Sequence, residues 1–130
     1  MKLTTNFYST EFQCRHCGKY LDSTHIALQL QRFRNWVNAM VKSTKEIRFI
    51  VHCGLRCVEH NENVGGVSNS RHLPKWYEKR QGAADFHATV ISNKKLAKLA
   101  KKAWRIGVLT GGLGIYKWGV HVDCSSRRQW

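Results

Sequence analysis

Acidic residues are few in this chain. Eight Asp and Glu stand against 22 Lys and Arg, which leaves a formal charge of +14 on 130 residues. A surface of that sign turns the search for partners towards polyanions: nucleic acid, an anionic cell wall or a membrane surface. Long apolar runs are absent as well. None approaches the roughly 18 residues that cross a bilayer, so a membrane span is excluded. The opening MKLTTNFYSTEF lacks the apolar stretch of a secretory signal. The expectation is a protein made in the cytoplasm that reaches any outer target only after release. Proline occurs once, at Pro74, and no repeat, linker or low-complexity tract divides the sequence. One domain over residues 1–130 is therefore expected. The cysteine count is odd, with Cys14, Cys17, Cys53, Cys57 and Cys124, and without a signal it argues against a disulfide framework. What the chain does have is apolar and aromatic material. It is 42% hydrophobic, with five Trp, five Phe and four Tyr, which suits a globular core and excludes a disordered chain.

Residues 22–42 read as an amphipathic helix capped by Asp22, Ser23 or Thr24. Ile26, Leu30, Phe33, Val37 and Met40 recur at three- and four-residue spacing on one face, with Arg32, Arg34 and Lys42 off it. EIRFIVH (46–52) alternates as a strand, and ADFHATVI (84–91) is a second. SNKKLAKLAKKAWRI (92–106) is a basic helix capped by Ser92 or Asn93, its lysines forming a solvated face. TGGLGIY and WGVHVDC then form two short strands around a tight turn, while Pro74 marks the stretch between the first two strands as loop. Helices and strands mixed without a repeating β-α-β order predict an α+β fold.

Three polar residues have the chemistry of a metal site. A hydrolytic zinc takes three protein ligands from His, Asp or Glu and keeps one direction open. His72, Asp85 and His121 supply such a set, two from a loop and the strand after it and one from a distant strand. The small residues of GAAD let backbone approach a crowded site. In VHVD, His121 and Asp123 lie two apart on a strand and share a face, with Val120 and Val122 turned to the core. Each residue alone reads equally as a surface or core polar group.

The order of motifs resembles a known family. Ser70 and His72, then Gly82, Ala84 and Asp85, then His121 and Asp123 match a Ser-x-His, Gly-x-Ala-Asp and His-x-Asp series. GLRCVEHNENVGG, GGLGIY and NFYSTEFQCRHCG extend the likeness over nearly the whole chain. The sequence is similar to the zinc peptidases of peptidoglycan stem peptides, the D-Ala-D-Ala carboxypeptidase and L-Ala-D-Glu endopeptidase superfamily. Its short, single-domain members of phages are the nearest in pattern. The resemblance implies a small antiparallel sheet carrying the zinc site, packed with helices in the hedgehog and DD-peptidase manner. It implies one catalytic zinc on His72, Asp85 and His121, with Arg56 on a substrate carboxylate and Ser70 and Tyr116 beside the substrate. It further implies bacterial peptidoglycan as partner, a monomer, and a phage-type lysis or entry role.

Three departures from the pattern bear on chemistry. The gap from His72 to Asp85 is 13 residues, longer than usual, so LPKWYEKRQ reads as an extended loop beside the pocket. Cys53 and Leu55 stand where relatives have serine and tyrosine. Trp118 stands three residues before His121, where many relatives carry a proton acceptor. Asp123, on the face of His121, is then the candidate either to take the proton or to orient the imidazole.

The remaining cysteines pair by spacing. The four thiolates of Cys14-x-x-Cys17 and Cys53-x3-Cys57 have the spacing to hold a second, structural zinc, with His16 or His60 able to replace one of them, and they read equally as buried free thiols. Two other functions fit parts of the sequence. A basic nucleic-acid-binding protein with zinc-held cysteines would use KWYEKR to stack on single strands. A wall-binding relative that keeps the metal and has lost catalysis is compatible with Trp118.

Overall fold

The computed structural model describes residues 1–130. Helix α1 covers Thr24–Val41. Its first turn is held by Asp22, whose Oδ1 accepts from the Thr24 amide at 3.0 Å and hydroxyl at 2.7 Å. Ser23, at the N-cap, turns its own hydroxyl to Leu21 O instead. Ile26, Leu30, Phe33 and Val37 are fully buried, as their spacing predicts. The stripe stops there. Met40 is exposed, and Asn38 closes the helix end by bonding both backbone groups of Ile47. Arg34, expected on the solvated side, is buried and paired with Glu46 at 2.7 Å.

Five strands follow: β1 Phe49–Cys53, β2 Ala83–Ala88, β3 Gly112–Tyr116, β4 Gly119–Asp123 and β5 Arg128–Gln129. They form one sheet in the order β1-β2-β4-β3-β5. The pairs among β1 to β4 are antiparallel, but β5 runs parallel to β3, so the sheet is mixed and not purely antiparallel as expected. The reason lies in the last residues: the chain turns after Asp123 and lays Trp130 beside Leu113 and Ile115, with a hydrogen bond in each direction.

Alternation along the strands separates two faces. Phe49, Val51, Phe86, Val120, Val122 and Leu113 point to the face covered by α1 and by α4 (Asn93–Arg105). Phe33 of α1 meets Phe49 and Phe86 there at centroid distances of 5.3 and 6.3 Å. Removing such a ring costs about 3–5 kcal/mol. From α4, Leu96, Ala100 and Ala103 are buried against the sheet, while its lysines stay out. Ser92 caps α4 by accepting from Lys95 N at 3.1 Å. Asp85, His121 and Asp123 take the opposite face of the sheet, away from both helices.

Two short helices escaped the sequence reading. α2 spans Val58–Asn63 and α3 spans Pro74–Glu78. Pro74 does not break structure here. It occupies the first helical turn, where its missing N–H leaves no bond unmade. The long insert before Asp85 is thus a helix, anchored by Tyr77, whose hydroxyl donates to Ala83 O at 2.5 Å. No helix is long and apolar enough to cross a membrane.

Candidate active site

β2 and β4 place the polar residues by register. Asp85 pairs directly with His121, and Ala83 with Asp123. His72 arrives from the turn before α3, where Ser70 Oγ accepts its amide at 3.3 Å. The three side chains then meet. His72 Nε2 lies 3.2 Å and His121 Nδ1 2.9 Å from the same oxygen, Oδ1 of Asp85. The edge of a tetrahedron with zinc bonds of 2.0–2.1 Å is about 3.3 Å, so these two spacings suit two of its edges; the donors here that all lie within 4.8 Å of one another are those of Cys53, His72 and Asp85.

The hydrogen-bond partners on the far side of each ring favour the tautomers that a metal would take. His72 Nδ1 faces the Gly54 carbonyl at 2.7 Å. A carbonyl only accepts, so Nδ1 carries the proton and Nε2 is left with a lone pair. His121 faces a carboxylate on both sides, with Asp123 Oδ2 2.9 Å from Nε2 and Asp85 Oδ1 2.9 Å from Nδ1; with a metal on Nδ1, Nε2 would donate to Asp123. Two imidazole nitrogens thus face the same carboxylate oxygen. Such an arrangement is repulsive unless a cation sits among them, either protons or a metal. The donor set fits zinc, with two neutral imidazoles, one carboxylate and an unblocked side.

The electrostatics agree with that strain. Burial works against a charged His72, but the negative charges of the Asp85 carboxylate and the Cys53 thiolate outweigh it and raise its pKa. Burial likewise opposes the Asp85 anion, and the two histidines hold it well below the usual carboxylate range. Asp123 is fully buried. Its burial is offset by hydrogen bonds from His121 and Ser125, which keep it ionised.

The open side is a cavity of about 440 Å³. Arg56, Ser70 and Tyr116, expected beside the substrate, all line it, and so does Trp118. Arg56 donates to Asn61 Oδ1 at 2.9 Å and to Cys53 Sγ at 3.5 Å, and it has no carboxylate partner in the chain. Arg71, Arg128 and Trp130 were missed by the sequence reading and also line the cavity. Only the Ser-Arg-His triplet held a hint for Arg71, and the C-terminal residues held none. Trp118 stacks on Tyr116 with rings 4.8 Å apart and 6° from parallel, and Trp130 Nε1 donates to the Tyr116 hydroxyl at 2.6 Å. The residue that cannot move a proton thus forms a wall.

The cysteines divide otherwise than the four-thiol set anticipates. Cys14, Cys17 and Cys57 come together with donor atoms within 4.8 Å of one another. Cys53 does not join them. A bulge in β1 turns it to His72, 3.6 Å from Nδ1, the nitrogen already committed to Gly54. Cys124 accepts from Gln29 on the helix side. KWYEKR is not a stacking platform: Tyr77 is buried and Arg71 covers Trp76 at 3.9 Å.

Two imidazoles and one carboxylate at an open cavity are the kind of donor set that hydrolytic metal sites use. The chain matches the family model described as Peptidase M15 over residues 5–123, and it belongs to that family of zinc peptidases. No curated protein and no solved structure matches it.

Proposed function

We propose that residues 1–130 act as one peptidase domain that cleaves the stem peptides of bacterial peptidoglycan. The reaction would be that of a D-Ala-D-Ala carboxypeptidase or an L-Ala-D-Glu endopeptidase, in a phage-type lysis or entry role. The observation that carries the reading is the convergence of His72 and His121 nitrogens on Asp85 at the floor of a cavity bordered by Arg56 and Arg71, neither of them paired with a carboxylate. His72, Asp85 and His121 would hold zinc, which supplies Lewis-acid polarisation of a carbonyl and lowers the pKa of water.

The chain's own residues do the rest. Arg56 and Arg71 offer planar, paired donors to the carboxylates that stem peptides carry at side chains and C-terminus. Tyr116 and Trp118 form a flat wall that keeps an extended peptide along β3 and β4. Asp123 fixes the His121 tautomer from behind. It lies on the Nε2 side, away from Nδ1 and from the cavity, so orientation suits it better than proton transfer. The proton-accepting role falls to His52 and His87. They stand beyond Asp85 on the same sheet face, with rings 4.6 Å apart and outside the ligand set. His52 is kept neutral by burial and by His87. The positive surface would hold the enzyme on an anionic wall.

The test is mass spectrometry of purified muropeptides after incubation, with and without chelator. The expected result is a metal-dependent loss of one peptide bond, abolished in His121→Ala. Intact muropeptides from a zinc-loaded protein that still binds walls would make the chain a binding relative. Tighter binding to single-stranded DNA than to walls at physiological salt would favour the nucleic-acid reading.

A further inference from the structure

The chain carries a second cluster of soft metal donors, on the other side of the loop that supports His72. Residues Cys14 to Lys19 form a tight knuckle. Cys14 N bonds Lys19 O at 2.8 Å and Gly18 N bonds Cys14 O at 2.9 Å, with Gly18 at φ +75°, where a side chain would be strained. The Cys57 amide donates to Cys14 Sγ at 3.4 Å, and the His60 amide donates to Cys57 Sγ at 3.3 Å.

The two segments are held together before any metal arrives. Leu55 N bonds Phe12 O at 2.8 Å. Gly54 allows that approach, because a Cβ there would stand 2.6 Å from Phe12 Cα. Cys57 is thereby delivered to Cys14 and Cys17. One imidazole reaches this group of three thiols at Cys57: His16 Nδ1 is 3.5 Å from Cys57 Sγ. For tetrahedral zinc with bonds of 2.3 Å to sulfur and 2.0–2.1 Å to nitrogen, that edge is about 3.5 Å. His60 lies stacked on His16, rings 5.5 Å apart and 6° from parallel.

We infer that Cys14, Cys17, Cys57 and His16 form a structural zinc site, separate from the His72–Asp85–His121 set. Four protein donors close the coordination, so the site holds structure and does no chemistry. Its position gives it a task. Residues 53–57 run from this cluster to the candidate active site, where Gly54 O accepts from His72 Nδ1 and Arg56 N donates to His72 O at 2.8 Å. A metal on Cys57 pins that segment from behind, and with it Arg56 and the tautomer of His72.

The experiment counts metal and thiols on the full chain, purified with zinc under reducing conditions. Wild type, Cys17→Ser, His121→Ala and the double variant are compared by elemental analysis. Cys17 and His16 are exposed, so their replacement leaves the core intact. Cys17→Ser should lose one metal equivalent and keep the one that His121→Ala removes, and the double variant should bind none. His16→Ala should lose the same equivalent as Cys17→Ser, while Cys53→Ser and Cys124→Ser should lose none. Alkylation mapped by mass spectrometry should show Cys14, Cys17 and Cys57 protected together until chelator is added. Cobalt in place of zinc should give thiolate charge-transfer absorbance that vanishes in Cys17→Ser. Wild-type metal content in Cys17→Ser, or a disulfide among the three cysteines in the protein as purified, would overturn the site. Loss in His60→Ala with retention in His16→Ala would overturn the assignment of its fourth ligand. A Cys17→Ser loss alongside unchanged metal in His121→Ala would leave this site standing and remove the proposed catalytic one.

Discussion

Replacing Asp123 by Asn exchanges one oxygen for an NH₂ group and leaves size and burial unchanged. The structure dictates how the amide must sit. Asp123 Oδ1 accepts three bonds, from Gly112 N at 2.9 Å, Ser125 N at 3.0 Å and Ser125 Oγ at 2.6 Å. The amide oxygen has to stay there, since the reverse orientation would set N–H against N–H. The amide NH₂ then faces His121 Nε2 at the 2.9 Å contact. It can only donate, so Nε2 must accept and the proton moves to Nδ1. The Nδ1 lone pair that a metal would take is lost in that tautomer. Metal affinity should fall about 10- to 100-fold, the usual cost of removing a partner behind a ligand, or about 1.4–2.8 kcal/mol. Competition against a chelator of known affinity measures the fall, and nitrogen chemical shifts of His121 report the tautomer directly. At saturating metal the hydrolysis rate should largely recover. Unchanged metal affinity with a rate lower by roughly two to four orders of magnitude would refute this reasoning and make Asp123 the proton acceptor.

Metal binding should also depend on pH with a defined sign. The folded His72 pKa is raised above its ordinary value, so the metal-free protein keeps this imidazole protonated at neutral pH. Zinc must displace that proton, and affinity should climb with pH by up to about tenfold per unit; calorimetry in buffers of different ionisation enthalpy should detect proton release. By the same sign, the charged His72–Asp85 pair stabilises the metal-free fold at neutral pH. That contribution is lost as pH rises through the raised His72 value, which thermal melts of chelated protein can follow. Gly112→Ala should damage the site without touching a ligand. The new Cβ would stand 2.5 Å from Asp123 Oδ2, forcing the carboxylate off His121. Overpacking of this kind costs about 1–3 kcal/mol, read as a lower Tm together with weaker zinc binding. A variant with wild-type melting and metal affinity would show that Asp123 is not held as tightly as its contacts imply.

Much of this was legible from residue types and their spacing. The α1 stripe from Ile26 to Val37, the alternation of Ile47, Phe49 and Val51, and the Ser92 cap of α4 are local matters of period and hydrogen bonding. They survive in any context that buries one face. His72, Asp85 and His121 could be singled out as donors because their chemistry is carried by the side chain alone. Their convergence could not be derived from spacing, since it depends on the pairing of β2 with β4 and on the turn that returns at Ser70. The structure also separated what the chain sets side by side. Cys53 and Cys57 lie four residues apart yet serve two different clusters, because the bulge in β1 and the helical turn at Cys57 aim their sulfurs apart. Pro74 begins a helix because tertiary contacts at Tyr77 hold the turn that follows it. Arg71, Arg128 and Trp130 reach the cavity only because the C-terminus adds a parallel strand and α3 positions its neighbours. The partner of a side chain is a long-range property. It is set by which surfaces bury each other, and no window along the chain contains both sides of the contact.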